Sequence, residues 1–228
     1  VPETATLFDN VAARYDLLNR VLSLGLDRGW RRALARSLGP EPRHVLDVAT
    51  GTGDVAIEVA RTHPEATVVG VDPSRPMLNA AARKVRRLGF ESRIRLVEGV
   101  AERLPFEEGE FDAVTIAFGI RNTREPRRSL EEMRRVCRPG GRLCVLEFTM
   151  PTNRLFVPLY SIYLGRLIPL VGSLFGMRRE YEWLATSIPA FAQREEFERL
   201  LAESGFAPLP RKELGLGTVA LYVAEASG

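Results

Sequence analysis

Apolar residues recur along this chain in two different periods, and the switch between them lays out the architecture. Over residues 6–38 the spacing is helical: Phe8, Val11, Ala12 and Tyr15 share one face, and Leu17, Leu18, Val21 and Leu22 another. Asp27 is placed to cap a third helix carrying Trp30, Leu34 and Leu38. Beyond it, short apolar runs predict strands at His44–Val48, Thr67–Val71, Ile94–Val97, Phe111–Phe118 and Arg142–Phe148. Helical patterns such as Val55–Arg61 and Met77–Leu88 lie between the early ones, an alternation that predicts parallel strands joined by crossover helices. Leu155–Arg194 interrupts it with apolar, aromatic, helix-like sequence. Arg194–Ser204 then reads as an amphipathic helix stopped by Gly205. Two last strands, near Ala207–Glu213 and Thr218–Ala224, are too close in sequence to be parallel and predict an antiparallel edge hairpin. The expected fold is a single α/β domain over residues 1–228 with a seven-stranded, mostly parallel, Rossmann-like sheet. N-terminal helices occupy 1–40, a ligand-binding core 41–150, an apolar cap insertion 151–194, and a C-terminal helix with edge strands 195–228.

Composition narrows the function classes. The 228 residues suffice for one sizeable domain, and 45% hydrophobic content with a mean hydropathy of −0.08 fits an ordinary water-exposed globule. A net charge of +3 is too mild to argue for nucleic acid. Lys84 and Lys212 are the only lysines, so the basic balance is arginine and fits a GC-rich genome better than a binding surface. Cys137 and Cys144 flank a Pro-Gly-Gly turn and read as free buried thiols; with no secretory signal legible, a reducing cytoplasm is expected. His44 and His63 belong to no cluster with metal-ligand spacing, so no metal is expected. The most apolar stretch, Leu155–Gly176, is broken by Pro158, Arg166 and Pro169, which argues against a transmembrane span.

The candidate chemistry starts at VLDVATGTGD, Val45–Asp54, where an apolar run meets a glycine turn before a helix. Gly51 and Gly53 allow a sharp turn and a close backbone approach to a ligand. Asp72 closes the next strand, where a carboxylate can accept from two ribose hydroxyls, so the ligand is read as an adenosine. Gly51-x-Gly53-x-x-Ala56 also fits a dinucleotide site, and spacing alone leaves a nicotinamide-dependent reductase open. Charge separates the two. A pyrophosphate would sit at the helix N-terminus, where Asp54 occupies the first turn and Asp47 lies four residues before Gly51. Acidic residues instead suit S-adenosylmethionine, which carries a sulfonium and an ammonium and no phosphate. After the third strand, EGVAERLPF (Glu98–Phe106) is placed to form an adenine pocket, which Met77 can pad.

Three blocks in order resemble the ubiquinone/menaquinone biosynthesis C-methyltransferases: RYDLLNRVLSLGLDRGWRR (Arg14–Arg32), VATGTGD, and FGIRNTREPRRSLEEMRRVCRPGGRLCVLEF (Phe118–Phe148). The likeness runs over almost the whole chain. It implies a class I methyltransferase that uses S-adenosylmethionine to methylate a ring carbon of a prenylated quinol in respiratory quinone biosynthesis. The substrate it implies is demethylmenaquinol, with a ubiquinol-type benzoquinol as the close variant. Donor contacts are implied at Thr52 in the loop, at Asp72 on the ribose and at Val100–Ala101 on the adenine, beside Asp47, Gly51 and Gly53. Two positions depart from the family's habit. Val100 stands where asparagine is frequent, and Ala117 where some relatives carry serine, so two side-chain hydrogen bonds are absent.

Methylating a ring carbon requires the neighbouring phenol to ionise, so the site needs a proton acceptor and a cation for the oxyanion. Arg121 and Asn122, just past the fourth strand, sit where ligands bind in open α/β sheets. Arg121 is the leading candidate for the oxyanion, unless it pairs with Asp16 or Asp27, and Asn122 for orienting a quinol oxygen or water. Tyr15, near Asp16 and Asn19, can contact substrate or donor, and Glu147 ranks below the arginine as a base. FGIRN lacks the double proline of nucleobase amino-methylating enzymes, and no carboxylate set supports a metal-dependent catechol enzyme. A lipid-binding module without turnover is the remaining rival. Leu155–Gly176 is expected to shelter ring and tail, with Arg166, Arg178 and Arg179 facing anionic headgroups at the inner face of the membrane. Oligomeric state is not legible.

Overall fold

The computed structural model describes residues 20, 23–174, 178–191 and 194–227, with positions 171, 174 and 178–181 described through their backbone only. Five parallel strands, β1 (His44–Val48), β2 (Thr67–Asp72), β3 (Ile94–Glu98), β4 (Phe111–Ala117) and β5 (Cys137–Phe148), carry the expected apolar runs. Three antiparallel ones follow: β6 (Phe206–Pro208), β7 (Lys212–Leu214) and β8 (Val219–Ala226). Their order across the sheet is β3-β2-β1-β4-β5-β8-β6, with β7 also paired to β8. This is the anticipated mostly parallel sheet with an antiparallel edge, altered in two places. The expected strand near Ala207–Glu213 is divided into β6 and β7, since Pro210 between them has no N–H for the ladder. β5 begins at Cys137, ahead of the expected start at Arg142, so the Pro-Gly-Gly turn falls inside the strand's range. There the pairing with β4 shifts register between Phe111 and Ala113.

Successive side chains of a strand face opposite sides, and each side here is covered by helices. On one side Val45, Ala113, Cys144 and Leu146 pack with α1 (Asp27–Ala35), α2 (Asp54–Thr62) and α3 (Arg75–Arg87) through Trp30, Leu34, Val55, Val59 and Val85. On the other, Leu46, Val114, Leu143 and Val145 pack with α4 (Pro126–Val136) and α8 (Glu195–Glu203) through Leu130, Met133, Phe197 and Leu201. Both cysteines are buried and free, and burial pushes their thiols up to about 11 and about 12, so neither is a nucleophile near neutral pH. Between β5 and α8 lie α5 (Val157–Ile162), a π-helical turn (Tyr163–Leu167), α6 (Ile168–Leu174) and α7 (Arg178–Ala190). Tyr160, Leu164 and Ile168, four residues apart, form one stripe that packs with Ile188, Leu184, Phe148 and Met150. Among the described residues no helix is long and apolar enough to cross a membrane.

The chain leaves β1 toward β2 on one side and later returns to place β4 on the other, which opens a crevice beyond the ends of β1 and β4. Two turns meet there in unusual backbone: Ala49 has φ 53° and Phe118 φ 56°, left-handed values that cost energy for residues with a Cβ. Gly119 permits their approach, because a Cβ at that position would stand 2.7 Å from the Cβ of Ala49.

Candidate active site

The loop from Ala49 to Gly53 is drawn into a cradle by side chains beneath it. Asp47, on β1, is buried; one carboxylate oxygen accepts from the Thr50 hydroxyl at 2.6 Å and the other from Thr115 at 2.8 Å. Thr115 is its register partner on β4, so the sheet itself supplies this contact. Gly53, at φ 81°, caps α2 and packs against Ala81 of α3, where a Cβ would lie 3.2 Å from the Ala81 Cβ. Asp72 ends β2, and its two oxygens accept from the Gly51 and Ser74 N–H groups at 2.8 and 2.9 Å. Gly51 borders the crevice, and a Cβ there would meet no atom within 4 Å, so the space beside it is open for a ligand.

The carboxylates differ in charge. Burial raises Asp47 to about 6 from an ordinary 3.8, with the two threonine hydroxyls opposing it. Burial also pushes Asp54 up, but Arg31 and Lys84 outweigh it and hold that carboxyl below its usual value. The Lys84 ammonium donates to Asp54 at 2.6 Å and to the Thr52 hydroxyl at 3.0 Å, while Arg31 lies 3.5 Å from the second Asp54 oxygen. Asp54 therefore repels an anion less than its place in the sequence implies. Asp47 also yields a stability prediction. Its folded state holds the proton more tightly than the unfolded chain does. That contribution is complete below about pH 3.8 and is lost as pH rises through about 6. At about 1.4 kcal/mol per pK unit, roughly 3 kcal/mol is involved. Asp47→Asn should therefore gain stability on the wild type between about pH 4 and pH 6, with a constant difference above, as read by urea denaturation. Parallel stability curves would contradict this assignment.

On the far side of the crevice, Arg121 is almost wholly buried with Glu147 of β5, their side chains 5% and 1% exposed. Its Nη1 donates to Glu147 Oε1 at 2.5 Å and to the Phe118 carbonyl at 2.9 Å, and Nε reaches Ser187 Oγ at 3.4 Å. The guanidinium lies over the Phe148 ring, 5.4 Å from its centre, and Phe148 in turn packs on Phe118. Glu147 Oε1 accepts a second bond, from the Phe148 N–H at 2.8 Å, whereas its buried Oε2 has no hydrogen-bond partner among the described residues. Burial raises the Glu147 carboxyl although Arg121 opposes it. Asn122 faces the cap, giving Nδ2 to the Phe118 carbonyl at 3.3 Å and accepting at Oδ1 from the Trp183 indole at 3.0 Å.

These walls enclose a cavity of about 830 Å³ running from Gly51 and Thr52 past Arg121 and Phe148 to the cap helices. Its mouth is apolar: Leu24, Leu159, Ile162, Leu170 and Leu216 border it and are each more than half exposed. Such a concave, mostly apolar space with a few convergent polar groups is the usual form of a small-molecule site.

Comparison with known proteins decides the class. The sequence profile described as the ubiE/COQ5 methyltransferase family matches residues 3–225. The chain belongs to the ubiE/COQ5 methyltransferase family. It is 46% identical to the ubiquinone/menaquinone biosynthesis C-methyltransferase UbiE of Syntrophotalea carbinolica, over 96% of this chain and 92% of that protein. The demethylmenaquinone methyltransferases of Deinococcus radiodurans and Thermus thermophilus are 44% and 43% identical, each over 96% of this chain and over 90% and 99% of their own lengths. Among solved structures, the [4+2]-cyclase SpnF shares the fold at a TM-score of 0.72, with 18% identity over 98% of this chain and 95% of that one. An S-adenosylmethionine-dependent methyltransferase from Aquifex aeolicus does so at 0.64, with 18% identity over 86% and 88%.

In this ubiE/COQ5 family member Asp47, Gly51 and Thr52 of the predicted loop border the cavity, and Gly53 shapes the turn beside it. Asp72 and Ala101 are buried beyond it, and Val100, 45% exposed, borders a separate hollow with Gly99 and Pro73. Arg121 borders the cavity and pairs with Glu147; Asp27 instead pairs with Arg31. Tyr15, Asp16 and Asn19 lie outside the described residues, as do the side chains of Arg178 and Arg179. Sequence reading passed over Trp183, Phe148 and Lys84. Only Lys84 carried a signal, as one of two lysines in an arginine-rich chain.

Proposed function

We propose that this methyltransferase moves a methyl group from S-adenosylmethionine to a ring carbon of a prenylated quinol, demethylmenaquinol, with a ubiquinol-type benzoquinol precursor as the variant substrate. The observation that carries the reading is Arg121, fixed in the cavity wall over Phe148 at the point where the donor loop meets the apolar cap. The donor, when bound, supplies an electrophilic methyl on a sulfonium. Toward it, the chain offers the backbone of Gly51, Thr52 and Gly53, the Asp72 carboxylate for the ribose and Val100–Ala101 for the adenine. Asp47 supports the loop from below. Arg121 makes no bond through Nη2 among the described residues, and that nitrogen serves the quinol oxyanion. Asn122 orients the cap through Trp183.

The tail explains the cap's second face. Each buried methylene of a prenyl chain contributes about 0.8 kcal/mol, and the exposed leucines at the mouth give the first isoprene units a route between cavity and bilayer. Arg166 borders the same mouth and supplies positive charge toward anionic headgroups. The enzyme thus works in the cytoplasm against the inner face of the cell membrane. Sedimentation with anionic vesicles should carry the protein down, and replacing Leu159 and Leu170 with serine should leave it in solution; no sedimentation of the parent would remove the membrane part. Trp183→Phe, which loses the indole N–H to Asn122 Oδ1, should raise KM for quinol about three- to tenfold, the worth of one hydrogen bond, with donor affinity unchanged. Assay with a panel of short-tailed naphthoquinols and benzoquinols tests the substrate directly: turnover of neither would refute the reading.

A further inference from the structure

Glu147 is a buried carboxyl at this site that the function above leaves without a task. It is buried at the end of β5, opposite Ala220 of β8, with one oxygen accepting two hydrogen bonds and the other accepting none among the described residues. A buried polar atom without a partner is rare enough to ask what satisfies it. Among the described residues the titratable and charged groups around the pair are Arg121 itself and, from the cap, the phenol of Tyr160, on which the Tyr163 ring stacks. Burial raises both phenols, so neither accepts a proton near neutral pH. Ser187 of α7 completes the surroundings without charge.

We propose that Glu147 takes up the proton released when the bound quinol ionises, so that the charge of the buried site stays constant. This rests on the reading of the substrate as a quinol. Before ionisation the site holds a neutral hydroxyl, a carboxylate and a guanidinium; afterwards it holds an oxyanion, a carboxylic acid and the same guanidinium. Net charge is zero in both states, which avoids burying an unbalanced charge, the costly event in a low-dielectric interior. The quinol O–H bond breaks, its proton passes through water in the cavity to Glu147 Oε2, and the electron pair stays on the ring oxygen facing Arg121. After the ring carbon gains the methyl, that carbon's hydrogen leaves as a proton to water and the Glu147 proton returns to the oxygen. One proton is released per methyl. Protonation also loosens the hold of Glu147 on Arg121 at the moment the oxyanion needs it. Glu147 never touches the ring; it is a positioning residue acting through Arg121 and water.

Glu147→Gln keeps an oxygen for Arg121 but removes the proton-accepting charge. Turnover should fall about a hundred- to a thousandfold, in the range of general-base losses, with donor affinity and quinol KM within about threefold. The wild-type decline of kcat toward acid should vanish in Glu147→Gln and persist in Glu147→Asp. A Glu147 that merely pins Arg121 would leave Gln nearly as active, with the same acid limb, and that result overturns the proposal. Difference infrared spectroscopy of the wild type needs no turnover. Adding demethylmenaquinol to the adenosylhomocysteine complex, which holds the substrate quinol without a methyl to transfer, should raise a protonated-carboxyl band, missing in Glu147→Gln. Quinol binding by calorimetry without that band refutes the role of Glu147 alone, whereas failure of any quinol to bind overturns the quinol reading and the proposal with it.

Discussion

Arg121→Met is expected to lower turnover about a hundred- to a thousandfold, the usual cost of one oxyanion donor, and to destabilise the fold by about 3–5 kcal/mol. The two losses have different origins. Turnover falls because Nη2 no longer faces the ring oxygen. Stability falls because Glu147, 1% exposed, loses the guanidinium that balances its charge and keeps only backbone donors, the Phe148 N–H among them. The two can be separated by adding Glu147→Gln: the double variant should regain most of the stability and none of the activity. The pH dependence has a defined sign. Burial already raises Glu147, and removing the cation raises it further. The folded state then holds a proton that the unfolded chain has released. Stability of Arg121→Met should therefore be highest in acid and decline as pH rises through the raised pKa. Chemical denaturation at several pH values reads this directly. A loss independent of pH would mean that the pair is not coupled as described.

Asp72→Ala is the second large effect. Its oxygens hold the Gly51 and Ser74 N–H groups, bonds to a charged acceptor worth about 1.5–3 kcal/mol each. Removing them frees the loop that faces the donor and deletes the proposed ribose acceptor. Adenosylhomocysteine should bind at least about a hundredfold more weakly by calorimetry, since each 1.4 kcal/mol is tenfold. Asp72→Asn should fall between, because its single amide oxygen can serve one of the two N–H groups. Affinity unchanged in Asp72→Ala would place the donor elsewhere.

The parts of this molecule written in local pattern were legible. Strand runs, the left-handed glycine at the head of α2 and the acidic end of β2 depend on neighbours within a few residues, and each lies where its pattern implies. Pairings across long separations were not. Arg121 had two acidic candidates in the N-terminal helices, yet it bonds Glu147, because β4 and β5 are adjacent and end at the same edge. Asn122 meets Trp183, 61 positions away, and no local signal marks an indole as the partner of an amide. Charge was misleading at Asp54 for the same reason: Lys84, one helix later, folds back onto it. The divided edge strand was legible in principle, since Pro210 stands in the middle of the expected run.

One measurement bears most directly on the whole account: incubation with S-adenosylmethionine carrying a labelled methyl group and demethylmenaquinol, followed by mass and resonance analysis of the product. The account predicts one labelled methyl per quinol, attached to a ring carbon, with adenosylhomocysteine formed in equal amount. Label on a ring oxygen, or an unmodified quinol alongside tight binding of a nicotinamide dinucleotide, would contradict it.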